Sequence, residues 1–231
     1  VELVQGLQDQ FRNQYESLPE DQVLERCLYV GEKRFMFTVK LQDAFNDPRL
    51  YASSRVLPIV EELLGKDCVM QSFGAVSSFP GSPIQHYHTD HAPLFMESGS
   101  LNAFIPPYAL HVVVPLIDLN EQCGTTALWE GSHKRPVFAP GGEDREGTDG
   151  ACFPYPQMGD CYLMDFRIFH RGMPNRSEKP RTILYIVFSR KWFQDRMNFE
   201  GRSRLPIDID KAEYEKIPDE YRRLFINAHP G

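Results

Sequence analysis

Between Cys68 and Ser189 the sequence is cut into short apolar runs, and this segmentation limits the fold more than any other feature. The runs are "CVMQSFGAVSSF", "ALHVVVPLIDL", "TTALWEG", "GDCYLMDF" and "RTILYIVFS". Each is rich in β-branched and aromatic residues and is bounded by Pro, Gly, Asn or Asp, which is the signature of strands joined by turns. The ends of the chain read differently. "VELVQGLQDQFRNQYESL" places Leu7, Phe11 and Tyr15 at helical spacing, with a stop from Ser17 to Asp21 around Pro19. "YASSRVLPIVEELLGKD" predicts a second helix closed by Gly65, with Pro58 marking a kink or a late start. Helical spacing returns from Asp208 to His229.

The expectation is one mainly β domain over residues 1–231, with a helical flank at 1–65, a β core at about 68–195 and a helical tail at 208–231. There is no internal repeat. Two long interruptions, residues 92–109 and 139–157, are longer than ordinary connections and so are expected to be functional. The first, "APLFMESGSLNAFIPPYA", is rich in Phe, Leu, Ile and Pro and reads as a lid.

Composition narrows the function. The net charge is −7 and no basic block occurs, so nucleic acid and anionic membrane surfaces are poor partners. No apolar run approaches the roughly 18 residues of a membrane span. Five cysteines, Cys27, Cys68, Cys123, Cys152 and Cys161, show no CxxC spacing, so neither a disulfide framework nor a structural zinc site is expected. A reducing compartment such as the cytoplasm is the simplest setting. The chain begins at Val1 rather than Met, which fits a trimmed targeting segment. Oligomeric state is not legible.

The stretch "QHYHTDHAP" holds three of the seven histidines. On an extended backbone His86, His88 and Asp90 point to one side. Bending three alternate residues of one strand onto one ion is difficult. A His-x-Asp pair joined by a distant histidine is easier, and two histidines with one carboxylate form the facial triad of non-haem iron oxygenases. His111, His133 and His170 are the distant candidates. His170 has the most suitable setting, a strand followed by a turn. Eleven residues later Arg181 opens a strand in which Ile183, Tyr185 and Val187 share its face. An arginine leading an apolar row requires an anion, and a dicarboxylate co-substrate supplies one.

"HTD", "GTTALWEGSHK" and "GDCYLMDFRIFHRGMPNRSEKPRTILYIVFS", in that order, resemble the phytanoyl-CoA dioxygenase family of Fe(II)- and 2-oxoglutarate-dependent oxygenases, over about residues 68–195. The resemblance implies a double-stranded β-helix, a jelly-roll. It implies His88, Asp90 and His170 as ligands of Fe(II), and Arg181 as the partner of 2-oxoglutarate. Arg171 and Gly172 follow His170 where a hydroxyl residue would help hold the co-substrate, and Thr126, Gln71 and Tyr87 are candidates for that help. Phe95, Phe104, His111 and Trp129 are candidate substrate contacts. His133 and Trp129 also read as ordinary structural residues.

The implied reaction is oxidation of a C–H bond, with O2 consumed and succinate and CO2 released. Related halogenases lack the carboxylate ligand, so Asp90 favours hydroxylation, desaturation or ring closure. "SHKRP" offers little basic surface for the phosphates of a CoA thioester, so a free small organic metabolite is the expected substrate. Two other readings stay open. One is a catalytically silent jelly-roll that binds a ligand. The other is a cupin-like metalloenzyme that does not use 2-oxoglutarate, for which Arg181 would have no purpose.

Overall fold

The computed structural model describes residues 2–17, 27–95, 97–134, 147–200 and 205–230. Among the described residues, eight strands form two layers. They are β1 (Cys27–Gly31), β2 (Arg34–Thr38), β3 (Val69–Ser78), β4 (Ala109–Pro115), β5 (Thr126–Leu128), β6 (Tyr162–Asp165), β7 (His170–Gly172) and β8 (Arg181–Ser189). The larger sheet runs β1-β2-β3-β8-β4-β6, antiparallel throughout. The smaller pairs β5 with β7 and is widened by single bridges, Leu128 with Cys152 on one side and His88 with His170 on the other. Together they make the jelly-roll.

Alternation divides the larger sheet into two different faces. Phe73 and Ala75 of β3, Leu110, Val112 and Val114 of β4, and Leu184, Ile186 and Phe188 of β8 point outward. They pack with Leu7 and Phe11 of helix α1 (Glu2–Phe11) and Val60 and Leu64 of helix α2 (Leu57–Leu64) in the main core. The C-terminal turns close the same core with Leu224 and Phe225. Arg181, Ile183, Tyr185 and Val187 take the opposite, inward face, as their spacing predicts. Gly74 makes room there: a Cβ at this position would lie 2.4 Å from both the Tyr185 hydroxyl and the Phe37 carbonyl oxygen.

Both expected helices form. After α1 a single wider turn, Arg12–Glu16, buries Tyr15. The expected stop begins at Ser17, and its residues 18–21 lie outside the described residues. Pro58 occupies the first turn of α2, so it marks a late start rather than a kink, since a proline there forfeits no helical hydrogen bond. Gly65 ends the helix at φ +99°.

Two expectations change. The flank at 1–65 is not wholly helical, because β1 and β2 form a hairpin inside it. Pairing with β3 over Arg34–Thr38 gives that short segment its partner, a tertiary contribution that local periodicity does not reveal. The segment 92–109 is also not the cover of the central cavity. Arg167 Nη1 donates to the carbonyls of Asn102 (3.2 Å) and Ile105 (2.8 Å), and Leu94 and Ile105 pack against the cluster of Tyr108, Ala109, Phe166, Tyr185, Val187 and Phe193. The second interruption is described only from residue 147, where Cys152 pairs with Leu128; residues 139–146 lie outside the described residues.

Candidate active site

The smaller sheet brings the two histidines together. His88 and His170 are directly opposite and exchange backbone hydrogen bonds of 3.0 and 2.8 Å. Opposite residues of an antiparallel pair project to the same face, and the two rings lie 4.4 Å apart. Asp90, two residues beyond His88, falls on that face as well. Its Oδ2 is 3.5 Å from His170 Nε2, and one donor atom from each of the three residues lies within 4.8 Å of the others.

Backbone carbonyls set the imidazole tautomers. His88 Nδ1 is 2.8 Å from the His86 carbonyl and His170 Nδ1 is 3.0 Å from that of Ile168. A carbonyl accepts only, so each Nδ1 carries a hydrogen, and each Nε2 is the ring nitrogen turned to the site. Burial, reinforced by the neighbouring His170, pulls His88 down to about 4, so it is neutral near pH 7. Burial alone would raise the Asp90 carboxyl. His170 first and then His111 outweigh it and hold the carboxylate well below its usual range. Asp90 Oδ2 is buried, its nearest neighbours being His111 Nε2 at 3.0 Å and His170 Nε2 at 3.5 Å, neither in good hydrogen-bond geometry. Two imidazoles and a buried carboxylate oxygen, converging without a good hydrogen bond among them, form a donor set that fits Fe(II), with coordination positions left over.

Arg181 opens β8 at the far end of the inward face and is 4% exposed. It donates to the carbonyls of Thr125 (3.1 Å) and Met173 (3.1 Å) and to Ser78 Oγ (2.8 Å). No carboxylate pairs with it among the described residues. Gly124 lets its loop approach: at φ +75° a Cβ would meet the Pro174 carbonyl at 2.4 Å and Arg181 Nη1 at 3.0 Å.

Two cavities adjoin along this face. One of about 630 Å³ touches His88, Asp90, His170, Thr126 and Arg181 and has Tyr29, His86 and Met197 at its edge. One of about 120 Å³ extends beside Asp90 and His170 and is lined by Met36, Val76, Val113, Phe166, Ile183 and Val187. None of the described residues of 92–108 lines either cavity. The cover comes instead from the turn Arg196–Phe199, where Asn198 Nδ2 donates to the Asp90 carbonyl at 3.0 Å and Asp195 caps the turn.

The other sequence candidates are spread out. Thr126 lines both cavities. His111 lies in the smaller one, stacked on Phe166, with Nε2 3.0 Å from Asp90 Oδ2. Gln71 is buried at the β3 bulge and is not among the cavity-lining residues. Tyr87 stacks on Phe169 and meets Trp129 edge-on, and the Arg171 guanidinium lies over both rings. That cluster packs away from the triad, because Tyr87 alternates with His86 and His88. Phe95 and Phe104 are solvent-exposed, Phe104 at 85%, and neither lines a cavity. His133 sits in a short helical turn beside Arg167.

Sequence reasoning overlooked Arg34, Ser78, Tyr162 and Asn198. Tyr162 places a buried hydroxyl near Thr126 and Arg181 and shares the inward face with Met164 two residues on, a parity readable from "CYLMDF". Asn198 carried no signal, since its role depends on a tertiary contact with Asp90.

The fold is shared with several solved structures. HygX from Streptomyces hygroscopicus, determined with nickel, 2-oxoglutarate and hygromycin B, is 16% identical with a TM-score of 0.61, covering 82% of this chain and 80% of HygX. The nickel complex of ThoJ, a non-heme monooxygenase, is 17% identical with a TM-score of 0.56, covering 82% and 69%. EvdMO1 is 19% identical with a TM-score of 0.57, covering 80% and 42%. The family model for phytanoyl-CoA dioxygenase matches residues 10–183, most of the chain, and spans the His88–Asp90–His170 cluster and Arg181. This chain therefore belongs to the phytanoyl-CoA dioxygenase family and is an iron- and 2-oxoglutarate-dependent oxygenase.

Proposed function

We propose that this enzyme inserts oxygen into a C–H bond of a small organic molecule, with His88, Asp90 and His170 holding Fe(II) and Arg181 anchoring the distal carboxylate of 2-oxoglutarate. The observation that carries this reading is the shared inward face. The convergent triad and a buried arginine without an anion open on one cavity, and an apolar hollow adjoins it beside Asp90 and His170. When bound, iron and 2-oxoglutarate supply the oxidising power, and the protein supplies binding, orientation and dryness. His88 and His170 present Nε2. Asp90 adds one negative charge, which offsets the metal's charge in a buried place. Arg181 offers a guanidinium whose geometry matches a carboxylate. Met36, Val76, Phe166 and Ile183 face the reacting region with apolar surface, exclude water and favour a substrate that presents C–H bonds there. The Arg196–Phe199 turn, tied to Asp90 through Asn198, covers the hollow.

The cavity size favours a free metabolite-sized molecule. The reading is tested by incubating the enzyme with Fe(II), 2-oxoglutarate and O2, following succinate, and searching a metabolite panel for a product one oxygen atom heavier. Succinate formation that rises with one compound class and vanishes in Asp90→Ala is expected. Folded wild-type enzyme that forms no succinate under any condition would favour a silent ligand-binding protein.

A further inference from the structure

Two arginines, not one, occupy the anion end of the cavity. Arg34 opens β2 and stands opposite Ser78 of β3, and Ser78 stands opposite Arg181 of β8. Residues in register across adjacent strands share a face, so these three side chains form one inward row. Arg34 Nε donates to Ser78 Oγ at 2.9 Å, and Arg181 Nη2 donates to the same oxygen at 2.8 Å. Both guanidiniums also donate to the Met173 carbonyl, at 3.2 and 3.1 Å. Arg34 has one further acceptor, the Pro83 carbonyl at 3.1 Å. Only 1% of its surface is exposed, and it lines the same cavity as Arg181. Neither arginine forms an ion pair among the described residues.

Burying one guanidinium against neutral carbonyls is unfavourable, and burying two side by side is more so. Burial first, and then the charge of Arg181, pull Arg34 down to about 10, still cationic at pH 7. Arg34 and Arg181 thus give the row two positive charges and no anion of its own. One guanidinium is enough to grip a carboxylate bidentately. A second beside it serves to steady the first through their shared acceptors and to deepen the positive potential that a carboxylate meets.

Resting on the Arg181 anchor proposed above, we infer that Arg34 is a positioning residue of the co-substrate site. It aligns Arg181 through Ser78 and Met173 and adds its charge to the field at the distal carboxylate. The discrimination between 2-oxo dicarboxylic acids and 2-oxo monocarboxylic acids is therefore a property of both arginines.

The test is calorimetric titration of the nickel-loaded enzyme with 2-oxoglutarate and, separately, with 2-oxobutyrate, which lacks the distal carboxylate. Wild type, Arg34→Gln, Arg34→Lys and Arg181→Gln are compared after circular dichroism confirms folding. Arg34→Gln is expected to bind 2-oxoglutarate about tenfold more weakly with 2-oxobutyrate affinity unchanged, and Arg34→Lys to recover most of the loss. An unchanged 2-oxoglutarate affinity in folded Arg34→Gln overturns the inference. An equal loss for both acids overturns it too, because that marks a purely structural arginine. Unchanged binding in Arg181→Gln would instead sink the anchor reading itself. Should Arg34→Gln not fold, a crystal structure of the wild-type enzyme with nickel and 2-oxoglutarate decides. Arg34 within about 5 Å of the distal carboxylate supports its part in the field, and a greater separation refutes it.

Discussion

The two faces of the six-stranded sheet are made by the same strands and have opposite characters. On the outer face Leu110, Val112, Ile186 and Phe188 close against α1 and α2, in a core built of side chains without charge. On the inner face His111, Tyr162, Ser78, Arg34 and Arg181 lie among the apolar lining, and several buried polar atoms there lack a hydrogen bond of good geometry among the described residues. Buried polar groups without partners are destabilising. The outer face thus supplies stability, and the inner face holds groups whose partners are ligands. Strand alternation lets one chain segment do both, since neighbours in sequence such as Arg181 and Thr182 belong to different sides.

If this division is correct, substitutions on the two faces separate function from stability. Asp90→Ala is expected to abolish metal binding and turnover while leaving the protein folded, because it removes the one charged donor of the cluster. Metal analysis and circular dichroism together check this, and full activity in the variant would break the assignment. Phe188→Ala, on the outer face, is expected to cost about 3–5 kcal/mol of stability with activity per folded molecule retained, measured by urea unfolding. Arg181→Gln is expected to raise the KM for 2-oxoglutarate about a hundredfold, equivalent to about 2.7 kcal/mol, with little change in melting temperature. A large drop in stability with unaltered KM would instead move Arg181 to the structural side of the comparison.

The smallest effect concerns pH. In metal-free protein His88 titrates at about 4, against about 6.5 in an unfolded chain. Between these values the unfolded chain takes up a proton that the folded one refuses, so stability falls as pH drops through that window and is untouched above it. Urea midpoints should show a loss of about 2 kcal/mol from His88 by about pH 5, and His88→Gln should lack it. Parallel pH profiles for the two proteins would contradict the burial of a neutral imidazole.

Much of the site was legible because its spacing is local or repeats along strands. His88 and Asp90 share a face by alternation, and Arg181 declared itself by leading an apolar row. The pairing of His88 with His170 was suggested by motif order and is achieved by a bridge between distant segments. Other features depend on such pairings without a local trace. The β1–β2 hairpin is stabilised by lying against β3, Arg34 becomes part of the site through Ser78, and Asn198 reaches the Asp90 backbone across the cavity. The apolar composition of segment 92–109 suggests a cover, yet Leu94 and Ile105 are spent on the small core around Tyr108, Phe166 and Phe193, and the turn near Asn198 lines the cavities instead.

The most direct measurement is an anaerobic titration of metal-free enzyme with Fe(II) and then 2-oxoglutarate, following the visible charge-transfer band of the chelate. A band that saturates at one equivalent, disappears in His170→Ala and Asp90→Ala, and needs far more 2-oxoglutarate in Arg181→Gln is the predicted result. Folded wild-type protein that gives no band, or triad variants that keep it undiminished, would contradict the claim that the inner face is built to hold iron and its co-substrate.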